Sequence, residues 1–131
     1  MASPTLTKKE KKRNQNLMED IINYCCQHEI FEEIHLYTNG HHYSSEPNSN
    51  AVECTTSQNH IYYDYGTIDI QASIEYSNDH TVTMTFEGPF YTMYNHHMFP
   101  FDYLEKDIIN IADKYGLYPE QGYAWSLAFY D

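Results

Sequence analysis

A chain of 131 residues that is 41% hydrophobic, with 14 tyrosines and six phenylalanines, can bury one core without disulfide or metal staples and is too aromatic for disorder. Its formal net charge of −12 repels nucleic acid and anionic membranes and attracts basic surfaces. No apolar run approaches the ~20 residues that span a bilayer, and Met1-Ala2-Ser3-Pro4 leads into lysines rather than into the apolar stretch of a signal peptide.

The chain reads as a single domain over 1–131, with 1–13 as a basic, partly frayed arm. Five of the seven basic residues are Lys8, Lys9, Lys11, Lys12 and Arg13. With Glu10 they give the first 13 residues +4, whereas from residue 14 onward two lysines against 18 carboxylates leave −16. Thr7 and Glu10 have capping-box spacing. Leu17, Ile21, Tyr24, Cys25 and His28 then recur at helical spacing, which predicts a helix over roughly 8–28. Positive charge at a helix N-terminus opposes the macrodipole, so the cluster does not serve local stability. It is a candidate contact for RNA or DNA.

A strand is expected at about 30–37, with Ile30, Ile34 and Leu36 on one face and Phe31, Glu33, His35 and Tyr37 on the other. Asn39-Gly40 is a turn, and 44–50 is a polar loop. Weaker strands are expected near 51–56 and 60–65. In 67–76, Ile68, Ile70, Ala72, Ile74 and Tyr76 alternate with polar residues, and in 81–87 Val82, Met84 and Phe86 do the same. Ser77-Asn78-Asp79-His80 lies between them, so the two runs read as an antiparallel hairpin with one buried and one solvated face. Gly88-Pro89 interrupts the pattern, and 90–95 reads as another short strand. Asp102 and Glu105 have cap spacing ahead of the stripe Leu104, Ile108, Ile111 and Tyr115, with Gly116 at the stop. Tyr123, Trp125, Leu127 and Phe129 alternate along a last strand, which assigns Trp125 to the core. The fold class is α+β: an antiparallel sheet of about four to six strands, with the N-terminal helix and a second helix before the last strand packed on one face.

Three cysteines, two of them adjacent, make a poor disulfide framework and indicate a reducing compartment, the cytoplasm. Cys25 falls on an apolar stripe amid acidic residues, which opposes thiolate formation. His41-His42 and His96-His97 are doublets in apparent loops, without the spacings of a zinc site, and adjacent strand residues point to opposite faces. No metal, cofactor or catalytic residue is therefore assigned. No nucleophile elbow, phosphate-binding glycine loop or H-E-x-x-H motif is present.

What remains is the solvated sheet face. The expected hairpin carries Asp69, Glu75 and Glu87 outward and Asp79 at its turn, with Glu53, Tyr62 and Asp64 on neighbouring segments. Outward side chains on one strand recur every ~7 Å. A spaced row of carboxylates can compete for the lysines and arginines that hold phosphates.

The Tyr-rich acidic stretch from Ile61-Tyr62-Tyr63-Asp64-Tyr65 through Glu87, together with the body charge, resembles small acidic phage-type inhibitors of bacterial defence nucleases, of the anti-CRISPR and antirestriction kind. The resemblance is one of character, with no alignable motif. It implies a non-enzymatic acidic inhibitor that blocks a nucleic-acid-handling protein, such as an RNA-guided nuclease, through an anionic face. The basic Lys8–Arg13 segment departs from a simple DNA mimic. Two other readings stay open: an immunity protein that neutralises a cognate toxin, and a small His-rich metal-binding protein.

Overall fold

The computed structural model describes residues 4–96 and 103–131. Helix α1 (Lys8–Gln27) begins with the expected reciprocal cap: Glu10 N–H donates to Thr7 Oγ1 at 3.0 Å, and Thr7 N–H donates to Glu10 Oε1 at 2.9 Å. Two donors that helix geometry leaves unpaired are thereby satisfied. Leu17, Met18, Ile21, Ile22 and Cys25 form its buried stripe. After α1 come strands β1 (Ile34–Thr38), β2 (His41–Ser44), β3 (Val52–Thr55) and β4 (Ile61–Thr67). A one-turn helix α2 (Ile70–Ser73) precedes β5 (Val82–Phe86), α3 (Gly88–Asn95), α4 (Tyr103–Asp113), β6 (Tyr118–Gln121) and β7 (Ser126–Tyr130).

The strands form one seven-stranded sheet in the order β3-β4-β2-β1-β5-β7-β6, and every neighbouring pair is antiparallel. The fold class is therefore α+β with helices over an antiparallel sheet, and the strand count exceeds the expected range. Helix α1 lies over β1 and β5, and α4 packs against α1 and β6. Register fixes the two faces. Ile34, Leu36, Val82, Met84, Phe86, Leu127 and Phe129 point toward the helices and are at most 2% exposed. Each such side chain contributes about 1.5–3 kcal/mol by leaving water.

The strand expected at 30–37 begins only at Ile34, because Glu29 and Glu33 take left-handed backbone angles that break extension. The larger correction concerns 67–76, which is not a strand paired with 81–87. Strand β5 lies between β1 and β7, so both of its edges are already occupied. Asp69 instead caps α2, its side chain accepting from Ala72 N–H at 3.2 Å. The chain then crosses the outer face of β5 and β7. Asn78 Nδ2 donates to the Phe129 carbonyl at 2.7 Å, and Asn78 N–H donates to Thr83 Oγ1 at 2.9 Å.

Residues 90–95 are helical rather than extended. Pro89 sits in the first turn of α3, where a missing N–H costs nothing. Phe90, Met93 and Tyr94 then bury one helical face, with the Phe90 and Tyr94 rings stacked at 5.6 Å. The last strand starts at Ser126, and Trp125 is 42% exposed rather than in the core. The Asp102 cap expected before α4 lies outside the described residues. Gly116 takes φ +72° where that helix stops. No helix among the described residues is long and apolar enough to cross a membrane.

Candidate functional site

The absent hairpin scatters the expected carboxylate row over separate elements. Glu53 is on edge strand β3 and faces away from the helices, opposite Tyr63. Tyr62 points the other way and is 2% exposed. Its hydroxyl donates to Glu19 Oε2 on α1 at 2.7 Å and accepts from Gln15 Nε2 at 2.8 Å. Asp64 also faces the helix layer, where it holds His41 Nδ1 at 3.0 Å and accepts from Gly66 N–H at 2.8 Å. Asp69 caps α2, Glu75 accepts from the Tyr123 hydroxyl, and Asp79 lies 3.1 Å from His80 Nδ1. Only Glu87 belongs to the surface described next.

That surface is the sheet face opposite α1, where a groove of about 580 Å³ opens. His35 and Tyr37 of β1 and Thr85 of β5 form its floor, side by side through the β1–β5 register. Ile74, from the segment that crosses the sheet, and Trp125 form its walls. Glu33, Glu46 and Glu87 stand at its rim. Backbone contacts tie these three together: Glu87 N–H donates to the Glu33 carbonyl at 3.0 Å, and Glu33 N–H donates to Glu46 Oε2 at 3.3 Å. The Glu33 carboxylate also lies over Gly88, where an added Cβ would meet Oε2 at 2.6 Å. Gly88 has φ +60°, a backbone conformation that favours glycine, whereas the Glu33 side chain could swing aside for a Cβ.

The aromatic side chains around the groove are ordered by one another. Trp125 stacks on Tyr123 at 4.7 Å with 16° between planes, and Tyr76 meets Tyr123 edge-on at 5.2 Å. All three are exposed. Beside the groove, His42 lies between Tyr37 at 4.7 Å and Tyr65 at 4.8 Å. Its Nε2 is 2.9 Å from His35 Nδ1. Burial lowers the pKa of both imidazoles, His42 to about 4, so the pair is neutral at pH 7.

The electrostatics are one-sided. No lysine or arginine occurs between Asn14 and Glu105, and none occurs in any of the seven strands. Lys106 and Lys114 are on or just after α4, in the helix layer. Lys8, Lys9, Lys11 and Lys12 project from the first turns of α1, while Arg13 Nη2 donates to the His80 carbonyl at 3.1 Å. Asn39 Nδ2 donates to the Lys11 carbonyl at 3.0 Å, which puts the basic cluster beside the β1–β2 turn. The groove rim is at the other end of β1, next to Ile34.

Cys25 is fully buried, and burial pushes its thiol pKa up, as for a packed apolar residue rather than a nucleophile. His41 and His42 lie on strand β2 and not in a loop, and their rings serve opposite faces. Among the described residues, no group of three or more His, Cys, Asp or Glu side chains could hold a metal ion. The groove residues His35, Tyr37 and Glu33 were visible in the sequence as the outward side of the first strand, but nothing marked that side as a concave surface. Glu46 in its polar loop gave no signal at all. Comparison with protein-family models, with curated proteins and with solved structures finds no match for this chain.

Proposed function

We propose that the protein is a non-enzymatic acidic inhibitor that binds and blocks a basic, nucleic-acid-handling protein of a bacterial host, an RNA-guided nuclease being the candidate target. One observation carries this reading. The sheet contains no lysine or arginine, and its face away from α1 opens into a groove rimmed by Glu33, Glu46 and Glu87 beside exposed aromatic rings. Carboxylates on such a face compete with phosphates for a cationic groove, and the aromatics supply the desolvated contact area that charge alone lacks. The carboxylate row along residues 67–87 is replaced in this reading by the groove rim, with Glu87 common to both.

The test is capture of partners from nuclease-treated bacterial lysate at two salt concentrations, followed by a nucleic-acid binding assay on the captured protein. The expected result is one basic protein, retained at low salt and released at high salt, that loses nucleic acid when this protein is added. Retention unchanged by high salt and by Glu87→Lys would overturn the reading, as would a partner whose nucleic-acid binding is unaffected.

A further inference from the structure

We infer that the groove is the seat for a single arginine side chain of the partner, its guanidinium held between the Trp125 indole and the carboxylates of Glu33, Glu46 and Glu87. The inference rests on the reading that this face binds a basic protein, and it names the chemistry at the centre of the contact.

The groove's volume, about 580 Å³, lies within the range of about 300–1,000 Å³ usual for sites that enclose a small ligand. It admits one extended side chain with a little flanking backbone. Acids alone would not distinguish a bound cation from a hydrated counter-ion. Here the walls are apolar and aromatic while the charge sits at one end, which matches a side chain with an alkyl stem and a cationic tip.

Arginine fits better than lysine for two reasons. Its guanidinium is planar and stacks on an aromatic face, whereas an ammonium is a compact, strongly hydrated point charge. It also donates in a fixed fork to more than one carboxylate at once. The indole is prepared for this role. Tyr123 covers one side of Trp125 and is itself held by Tyr76 and by the carboxylate of Glu75, so the ring plane is set before a ligand arrives. Little side-chain ordering is then left to be lost on binding. Tyr37, in the floor, is 6% exposed and stacked on His42.

Trp125 is the protein's only tryptophan, so tryptophan emission reports on the surroundings of this groove wall. The experiment titrates the full chain with a capped Gly-Gly-Arg-Gly-Gly peptide and follows tryptophan fluorescence. The same peptide with lysine, or with the neutral isostere citrulline, in place of arginine serves as comparison. The expected result is a saturable change with arginine, at least about tenfold weaker binding with citrulline, and weaker binding with lysine, in line with the greater strength of charge-assisted contacts. Glu87→Gln, an exposed rim position, is expected to weaken the arginine peptide about threefold to tenfold.

Equal binding of arginine and citrulline peptides to the wild-type chain overturns the inference without recourse to any variant. So does lysine that binds as well as arginine, or an arginine response that Glu87→Gln leaves unchanged. The two readings fail separately. A basic partner captured in a Glu87-dependent way, with no response from Trp125 to arginine, removes the arginine seat and keeps the inhibitor. Arginine binding in the groove with no basic partner retained from lysate does the reverse.

Discussion

His42 carries a cost that the fold accepts. Its ring is enclosed by Tyr37 and Tyr65 and hydrogen-bonded to His35, so one imidazole must donate and the other accept. Burial, and then the neighbouring His35, hold its pKa at about 4, against an ordinary value of 6.5. Between those two pH values the unfolded chain binds a proton that the native chain refuses, so stability falls as the pH is lowered through that window. The loss begins near pH 6.5 and levels off below about 4. Urea midpoints measured across this range are expected to decline more steeply for the wild type than for His42→Gln, and parallel curves would refute the assignment. Tyr62 makes a second residue-scale case. Because its hydroxyl is bound to Glu19 and Gln15 beneath the sheet, Tyr62→Phe is expected to cost about 0.5–1.5 kcal/mol of stability. Partner binding should be untouched by it, which equilibrium denaturation and a binding titration together would check.

At the scale of elements, the segment from Ile68 to His80 explains both the groove and the main failure of pattern reading. Its residues alternate as a strand's do, but period two describes only a chain with one wet side. A segment lying across a sheet, with Ile70 buried and Ile74 turned into a groove, produces the same string. Deciding between them required knowing that β5 had no free edge, and that is a non-local fact. The short strands β2 and β6 were missed because four residues beside turns carry too little periodicity to register. Helices α1 and α4 were legible because their stripes are long, with a capping box at the start of α1 and Gly116 at the end of α4. Asn78 anchors the crossing segment through its bonds to the Phe129 carbonyl and Thr83. Asn78→Ala is expected to cost about 0.5–1.5 kcal/mol, the net worth of the lost side-chain bond, since the Phe129 carbonyl still accepts from the Thr81 hydroxyl. The effect should appear in the urea midpoint and as faster hydrogen exchange in 74–80, with α1 protected as before. At the other end of the molecule, Thr7→Ala is expected to cost about 1 kcal/mol through the lost cap.

For the molecule as a whole, charge is sorted by layer and by end. The sheet layer bears carboxylates and histidines only, whereas every lysine and arginine belongs to the helices or to the link after α4. The sequence already showed this division along the chain, but not that the cluster at Lys8–Arg13 and the acidic groove would occupy opposite ends of β1. The arrangement makes the basic cluster a liability at its own position. Three lysines in or beside the first turn of α1 face the positive end of the helix dipole. Replacing Lys8 and Lys9 with glutamine is therefore expected to stabilise the protein, by at least about 0.3 kcal/mol at low salt, with the gain shrinking as salt screens the dipole. The same double variant makes the molecule more acidic without altering the groove, so association with a cationic peptide should be as fast or slightly faster. Slower association would mean that the cluster itself touches the partner. Thermal unfolding at two ionic strengths and stopped-flow mixing through Trp125 emission would measure both quantities on one pair of proteins. A stabilised variant with undiminished groove binding would show that Lys8 and Lys9 serve neither folding nor the acidic contact.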